Sequence, residues 1–316
     1  MMRRSYEGFS IVPRADNFHK ELVEVHKFSR DFKLLANREW PPGTAETTYH
    51  PLNLLYDGRN VAYFDWIDYR GGFLDNPQLD EKKAEEVHAN IAASNAVIVF
   101  ADAQKLVTTS NPDEASYISG ADAAVQILRG FSRNYSDHKL TFVIALTKVD
   151  GTASKWHGDR QNFAPLTEFA VEVFRPLQDV IQRERRWRGG IIPISTMGIG
   201  NVDASGQIVG FPAPLNIGHA MMYCIGSTLR NTEESLIEHM LHSSEQAEAI
   251  RAKYRGFWGT IMKTYQQLRG THSDAEALQQ HRMEIQNDRQ ELERIRLVIE
   301  RLERHALEKV RMITPG

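Results

Sequence analysis

The sequence predicts an α/β fold: a mostly parallel, doubly wound sheet with one antiparallel hairpin, followed by a C-terminal α-helical region with a coiled-coil pattern. Three observations predict it. Between residues 51 and 230, short apolar runs alternate with amphipathic stretches, the order that gives strands covered by crossover helices. Two strand-like runs, LNLLYD and NVAYFDWID, meet at Asp57-Gly58, a strong hairpin signal. Residues 231–313 contain no proline and are mostly helix formers. The chain therefore divides into an α/β domain over 1–230 and a helical interaction region over 231–316, with a coiled-coil-like segment at 275–313.

The elements follow in order. FSIVP reads as a short strand, and NFHKELVEVHKFSRDFKLLAN as a helix with Leu22, Val25, Phe28, Phe32 and Leu35 at helical spacing. After the Pro/Gly-rich EWPPGTAETTYHP comes the hairpin, then DEKKAEEVHANIAAS as a helix. NAVIVFADA is a continuous apolar run, as expected of a strand covered on both faces. NPDEASYISGADAAVQILRGF reads as one helix, with Asn111 as N-cap and Pro112 in the first helical position. LTFVIALTKVD is the next buried strand, residues 164–183 a helix kinked at Pro176, GGIIPIS a strand, and 214–230 a helix.

Composition bounds the function. The chain has 316 residues, 41% of them apolar and 25% charged, enough to bury a core. A net charge of −3 argues against a phosphate-neutralising surface, so nucleic acid is not an expected partner. The single cysteine, Cys224, excludes an intramolecular disulfide and a multi-cysteine metal site; within an apolar helix it reads as core. No apolar run is long enough to span a membrane, and the N-terminus has no signal-peptide core, so a cytoplasmic protein is expected.

In an open parallel sheet, ligands bind beyond the carboxyl ends of the strands. The first such end is Asp68-Tyr69-Arg70-Gly71-Gly72. A carboxylate there suits a water-mediated Mg²⁺ contact, and Gly71 lets a backbone N–H approach a γ-phosphate. The second is Thr147-Lys148-Val149-Asp150. Asp150 can accept both N1–H and N2–H of guanine, a pairing adenine cannot satisfy, while the Lys148 stem covers the base face. The third is Ser195-Thr196-Met197-Gly198, where a small hydroxyl residue can shape a loop whose N–H meets the guanine O6. Each motif alone also fits an ordinary solvated loop; their order at successive strand ends is what carries the reading.

On these residues the region 40–230 resembles the translation-factor-like class of P-loop GTPases. Its PPGTAETT, WIDYRGG and TKVD elements are most similar to bacterial double-GTPase families of conflict and defence operons. The resemblance implies GTP or GDP and Mg²⁺ as cofactors, with a nucleotide site that includes Thr147, Lys148, Asp150, Ser195 and Thr196. It further implies a switch threonine contacting Mg²⁺ and the γ-phosphate. Thr44, Thr47 and Thr48 are the candidates, and their spacing to Asp68 favours Thr47 or Thr48.

The sequence departs from that class in three ways. No GxxxxGK[ST] occurs in it, so the backbone phosphate cradle, its lysine and its Mg²⁺ hydroxyl are missing. An N-terminal truncation and a genuine pseudo-GTPase both explain this, the truncation being favoured; either way the chain is expected to bind GTP weakly or not at all. Gly72 stands where some GTPases carry a water-orienting glutamine, which implies slow intrinsic hydrolysis. Thr147 replaces the more usual asparagine. Arg70 reads either as a charge stabiliser in cis or as a loop salt-bridge partner.

His239 and His242, three apart, lack a third metal ligand and read as helix surface, as do Arg183, Arg185, Arg186 and Arg188 at a helix end. Leu278, Ile285, Leu292, Ile299 and Ala306 recur every seven residues, with Ile295 and Leu302 in the companion seam. The sequence thus points to a guanine-nucleotide switch whose helical tail pairs with itself, with a protein partner or with the body of the chain. The alternative is a non-enzymatic pseudo-GTPase scaffold that assembles partners through that tail.

Overall fold

The computed structural model describes residues 8–14, 26, 29–42, 47–68, 81–119, 121–134, 139–157, 162–177, 180, 187–203, 205–255, 279, 283, 286, 293 and 296–312. Its content is mixed α/β. The strands form two sheets. One is antiparallel and three-stranded, in the order β1 (Phe9–Pro13), β2 (Thr48–Tyr56), β3 (Arg59–Asp68). The other is four-stranded and mostly parallel, in the order β4 (Ala96–Asp102), β5 (Thr141–Thr147), β6 (Arg188–Pro193), β7 (Arg311–Met312).

The β2–β3 hairpin turns at Asp57 and Gly58, whose φ values of 48° and 75° suit the primed turn that matches strand twist. Leu52 and Leu54, two apart on β2, are buried and so lie on one covered face. The hairpin was expected within the parallel sheet; it pairs instead with β1 in a sheet of its own. Among the described residues no strand joins β3 to β4, so the two sheets are not continuous.

In the second sheet, β4, β5 and β6 are parallel and β7 closes the far edge antiparallel to β6. Every residue of β5 from Thr141 to Leu146 is buried, which covers both of its faces. The equally apolar β4 does not follow that expectation. It is mostly half-buried, with Phe100 56% exposed, and among the described residues it has a strand neighbour on one side only. Helices α1 (Glu81–Ala93), α2 (Ala103–Leu106), α3 (Pro112–Ser119), α4 (Ala121–Asn134), α5 (Ser154–His157) and α6 (Ala164–Val173) lie between the strands in sequence. One face of the sheet packs Phe142, Ile144 and Leu146 against Val125, Leu128 and Phe131 of α4 and Leu166 and Ala170 of α6. Each large side chain buried there contributes roughly 1.5–3 kcal/mol.

Asn111 caps α3 as its sequence suggests, its Oδ1 accepting from Asp113 N at 3.0 Å. The single helix expected over this stretch is two, α3 ending at Ser119 and α4 starting at Ala121. Helix α6 stops at Phe174, where the backbone turns before Pro176.

The helix expected at 214–230 is α7 (Ile217–Arg255), which runs well past that boundary. A further helical stretch covers 296–307, and β7 follows it, inside the segment that the seven-residue pattern had carried through as helix to 313. Leu278, Ile285, Leu292 and Ile295 lie outside the described residues; Ile299, Leu302 and Ala306 are buried. The chain divides into two compact units, Met1–Thr228 with Leu302–Gly316, and Leu229–Arg301. Within the second, buried Glu233 accepts from Arg230 Nη1 at 3.0 Å and from Arg296 Nε at 2.7 Å. Among the described residues, no helix is long and apolar enough to cross a membrane.

Candidate functional site

The parallel sheet brings three strand-end loops together. Asp102 ends β4 and stands opposite Thr147, the last residue of β5; Leu146 stands opposite Pro193, the last residue of β6. Thr147 Oγ1 donates to Ala101 O at 3.1 Å, tying the two strand ends together. Lys148 then takes a left-handed backbone conformation, φ 57°, which lysine rarely adopts. Its Nζ lies 2.6 Å from Asp102 Oδ2. A short 3₁₀ turn, Val149–Gly151, follows, anchored by fully buried Val149 and by Thr152 Oγ1, which donates to Val149 O at 2.8 Å.

This turn presents Asp150 to the loop after β6. Ser195, 2% exposed, donates its hydroxyl to Asp150 Oδ1 at 2.5 Å and accepts from Gly198 N at 2.8 Å. The relay orients the carboxylate; its Oδ2 has no protein partner among the described residues. Gly198 has φ +82°, and a Cβ there would run into Ala213 O, so the loop needs a glycine at this point. Thr196, beside Ser195, is exposed.

The loop is held from outside as well. Leu35, from a helical stretch at 29–36, packs with Met197 and Ile208. Phe32 meets Phe211 edge-on with ring centroids 6.0 Å apart, and Trp40 Nε1 donates to Gly206 O at 2.9 Å.

The Mg²⁺ and γ-phosphate candidates lie in the other sheet. Thr48 opens β2 and is the direct antiparallel partner of Asp68 at the end of β3. Thr48 Oγ1 lies 3.0 Å from His50 Nε2, and Thr47 is half-buried just before the strand. A carboxylate beside a hydroxyl is a donor pair of the hard-oxygen type that suits Mg²⁺ when phosphate and water complete the shell. Thr44, Arg70, Gly71 and Gly72 lie outside the described residues, as do Arg183, Arg185 and Arg186. Among the described residues, no group of three or more His, Cys, Asp or Glu is placed to hold a metal ion. The Asp150 carboxylate offers a fixed hydrogen-bond acceptor at the strand ends, and the sequence contains no phosphate-loop motif.

Three contributors escaped the sequence reading. Asp102 was read only as the end of an apolar run, yet its Oδ1 also caps α2 by accepting from Gln104 N and Lys105 N at 3.0 and 3.2 Å. Gln104 packs so closely on Gly151 that a Cβ there would overlap its side-chain amide. Asn216, φ 55°, donates Nδ2 to Pro193 O at 3.0 Å at the base of the loop. An acidic residue directly after a strand and before a short helix was the available signal for Asp102. Cys224 is buried, and desolvation pushes its thiol up to about 12, which leaves it protonated and inert.

No protein-family model matches the chain, and searches of curated proteins and of solved structures find no match either.

Proposed function

We propose that this chain is a guanine-nucleotide-binding protein of the P-loop GTPase class, built as a switch with a helical tail. The observation that carries the reading is the bond between Ser195 and Asp150, two residues 45 apart in sequence that meet at neighbouring strand ends. A carboxylate held in place by a buried hydroxyl, with Oδ2 and the second lone pair of Oδ1 left for a ligand, is suited to accept the paired N1–H and N2–H of guanine. In this reading Lys148 flanks the base, Thr147 and Thr196 line the loops, Asp68 holds Mg²⁺ through water, Thr47 or Thr48 closes over the γ-phosphate, and Gly71 senses it. When bound, the ion supplies neutralisation of charge on the phosphate oxygens. The nucleotide belongs to a cytoplasmic setting, and the tail offers a surface for self-association or for a protein partner.

The test is a base-preference swap. GDP and XDP compete for the chain and for Asp150→Asn in a calorimetric or NMR titration with Mg²⁺. The wild type is expected to bind weakly and to favour GDP, and the variant to favour XDP, whose 2-oxo group matches the amide donor. Unchanged preference removes the reading, and a submicromolar dissociation constant overturns the expectation that a missing phosphate cradle leaves affinity low.

The second reading is a non-enzymatic pseudo-GTPase scaffold that assembles partners through its helical tail. It shares the base site but predicts no GTP hydrolysis above background, whatever the nucleotide preference.

A further inference from the structure

Asp102 stands at the centre of the contacts that fix the loop after β5. Its two oxygens divide the work. Oδ1 accepts two backbone N–H groups of α2, and Oδ2 accepts the Lys148 ammonium. The carboxylate is largely covered, its side chain 18% exposed, while the lysine is 61% exposed. The lysine is thus an open side chain with a pinned end. Its backbone is held left-handed at one end and its Nζ is held on β4 at the other. Asp102 and Thr147 are register partners, so the methylene stem spans neighbouring strand ends, two residues in sequence from Asp150. Gln104 packs on Gly151 of the same turn. A free lysine samples many rotamers and offers no fixed surface; an anchored one presents its four-carbon stem as a wall.

We propose that Asp102 is a positioning residue of the nucleotide site, acting through Lys148 to set one wall for a planar purine beside Asp150. This rests on the guanine reading above and adds to it a residue on a strand end to which no motif was assigned.

The test separates the anchor from the cap and from the charge of the ligand. Asp102→Asn keeps an N-cap through its one amide oxygen, since asparagine caps as well as aspartate, but turns a donor Nδ2 toward the Lys148 ammonium and so removes that bond. Lys148→Met keeps the apolar stem and removes the ammonium. Guanosine is the probe because it is uncharged, so a changed protein charge reaches it only through the lysine. Dissociation constants come from NMR titration of the full chain, with Tm measured alongside. Asp102→Asn is expected to weaken guanosine about three- to fivefold at unchanged Tm. Lys148→Met is expected to do the same, and the double variant to be no weaker than Lys148→Met alone, the non-additivity of residues acting as one unit. Wild-type binding with a silent Asp102→Asn, or with additive losses, overturns the positioning role and leaves the guanine reading standing. A wild type that binds guanosine no better than xanthosine removes the guanine reading and the positioning role together.

Discussion

Ser195 uses its hydroxyl in both directions, accepting a hydrogen bond from Gly198 N–H and donating one to Asp150. Removing it strands a buried donor and releases a carboxylate in one change. Ser195→Ala is expected to cost about 1–3 kcal/mol of stability, read by chemical denaturation, and to weaken guanine binding while leaving the preference over xanthine intact. A variant as stable as wild type would show that water replaces the hydroxyl at no cost. At this scale the sequence was informative about residue type and strand end, since Asp150 and Ser195 follow apolar runs closed by polar turns. It marked Asp102 as a possible cap but not as the partner of Lys148, because a single carboxylate after VIVFA has no local feature that reveals a partner 46 residues on.

Helix α7 opens with His219, 8% exposed, in the electrostatic reach of Lys309, Glu308 and His305. Desolvation lowers its pKa below the ordinary 6.5, and Lys309 and His305 push the same way against Glu308. The folded chain thus keeps it neutral at pH values where the unfolded chain takes up a proton. Stability is full above the unfolded value and falls as pH drops below about 6.5. Thermal midpoints at pH 7.5 and 5.5 are expected to differ less in His219→Gln than in wild type; equal drops would assign the acid sensitivity elsewhere. The elements themselves were largely legible, from the Asp57-Gly58 turn to the Asn111 cap. The errors have local causes. What periodicity alone reads as one helix is two, the first ending at Ser119 and the second starting at Ala121. The strand Arg311–Met312 is too short to compete with a seven-residue pattern that enters it from 296–307.

The division into two sheets was not legible, because periodicity says which residues face a core and not which strands are neighbours. β4 is as apolar as β5 but ends the sheet, with Phe100 exposed and its outer edge unpaired among the described residues. Such an edge invites another chain. Phe100→Lys is expected to lower concentration-dependent light scattering without changing Tm; scattering that persists unchanged would place the sticky surface elsewhere. The opposite edge has a different history. Ile191 of β6 pairs with Arg311, 120 positions later. A ribosome adding roughly 5–20 residues per second needs on the order of ten seconds to supply that partner. During that interval β6 waits without this partner, and β7 ends the exposure on the β6 side.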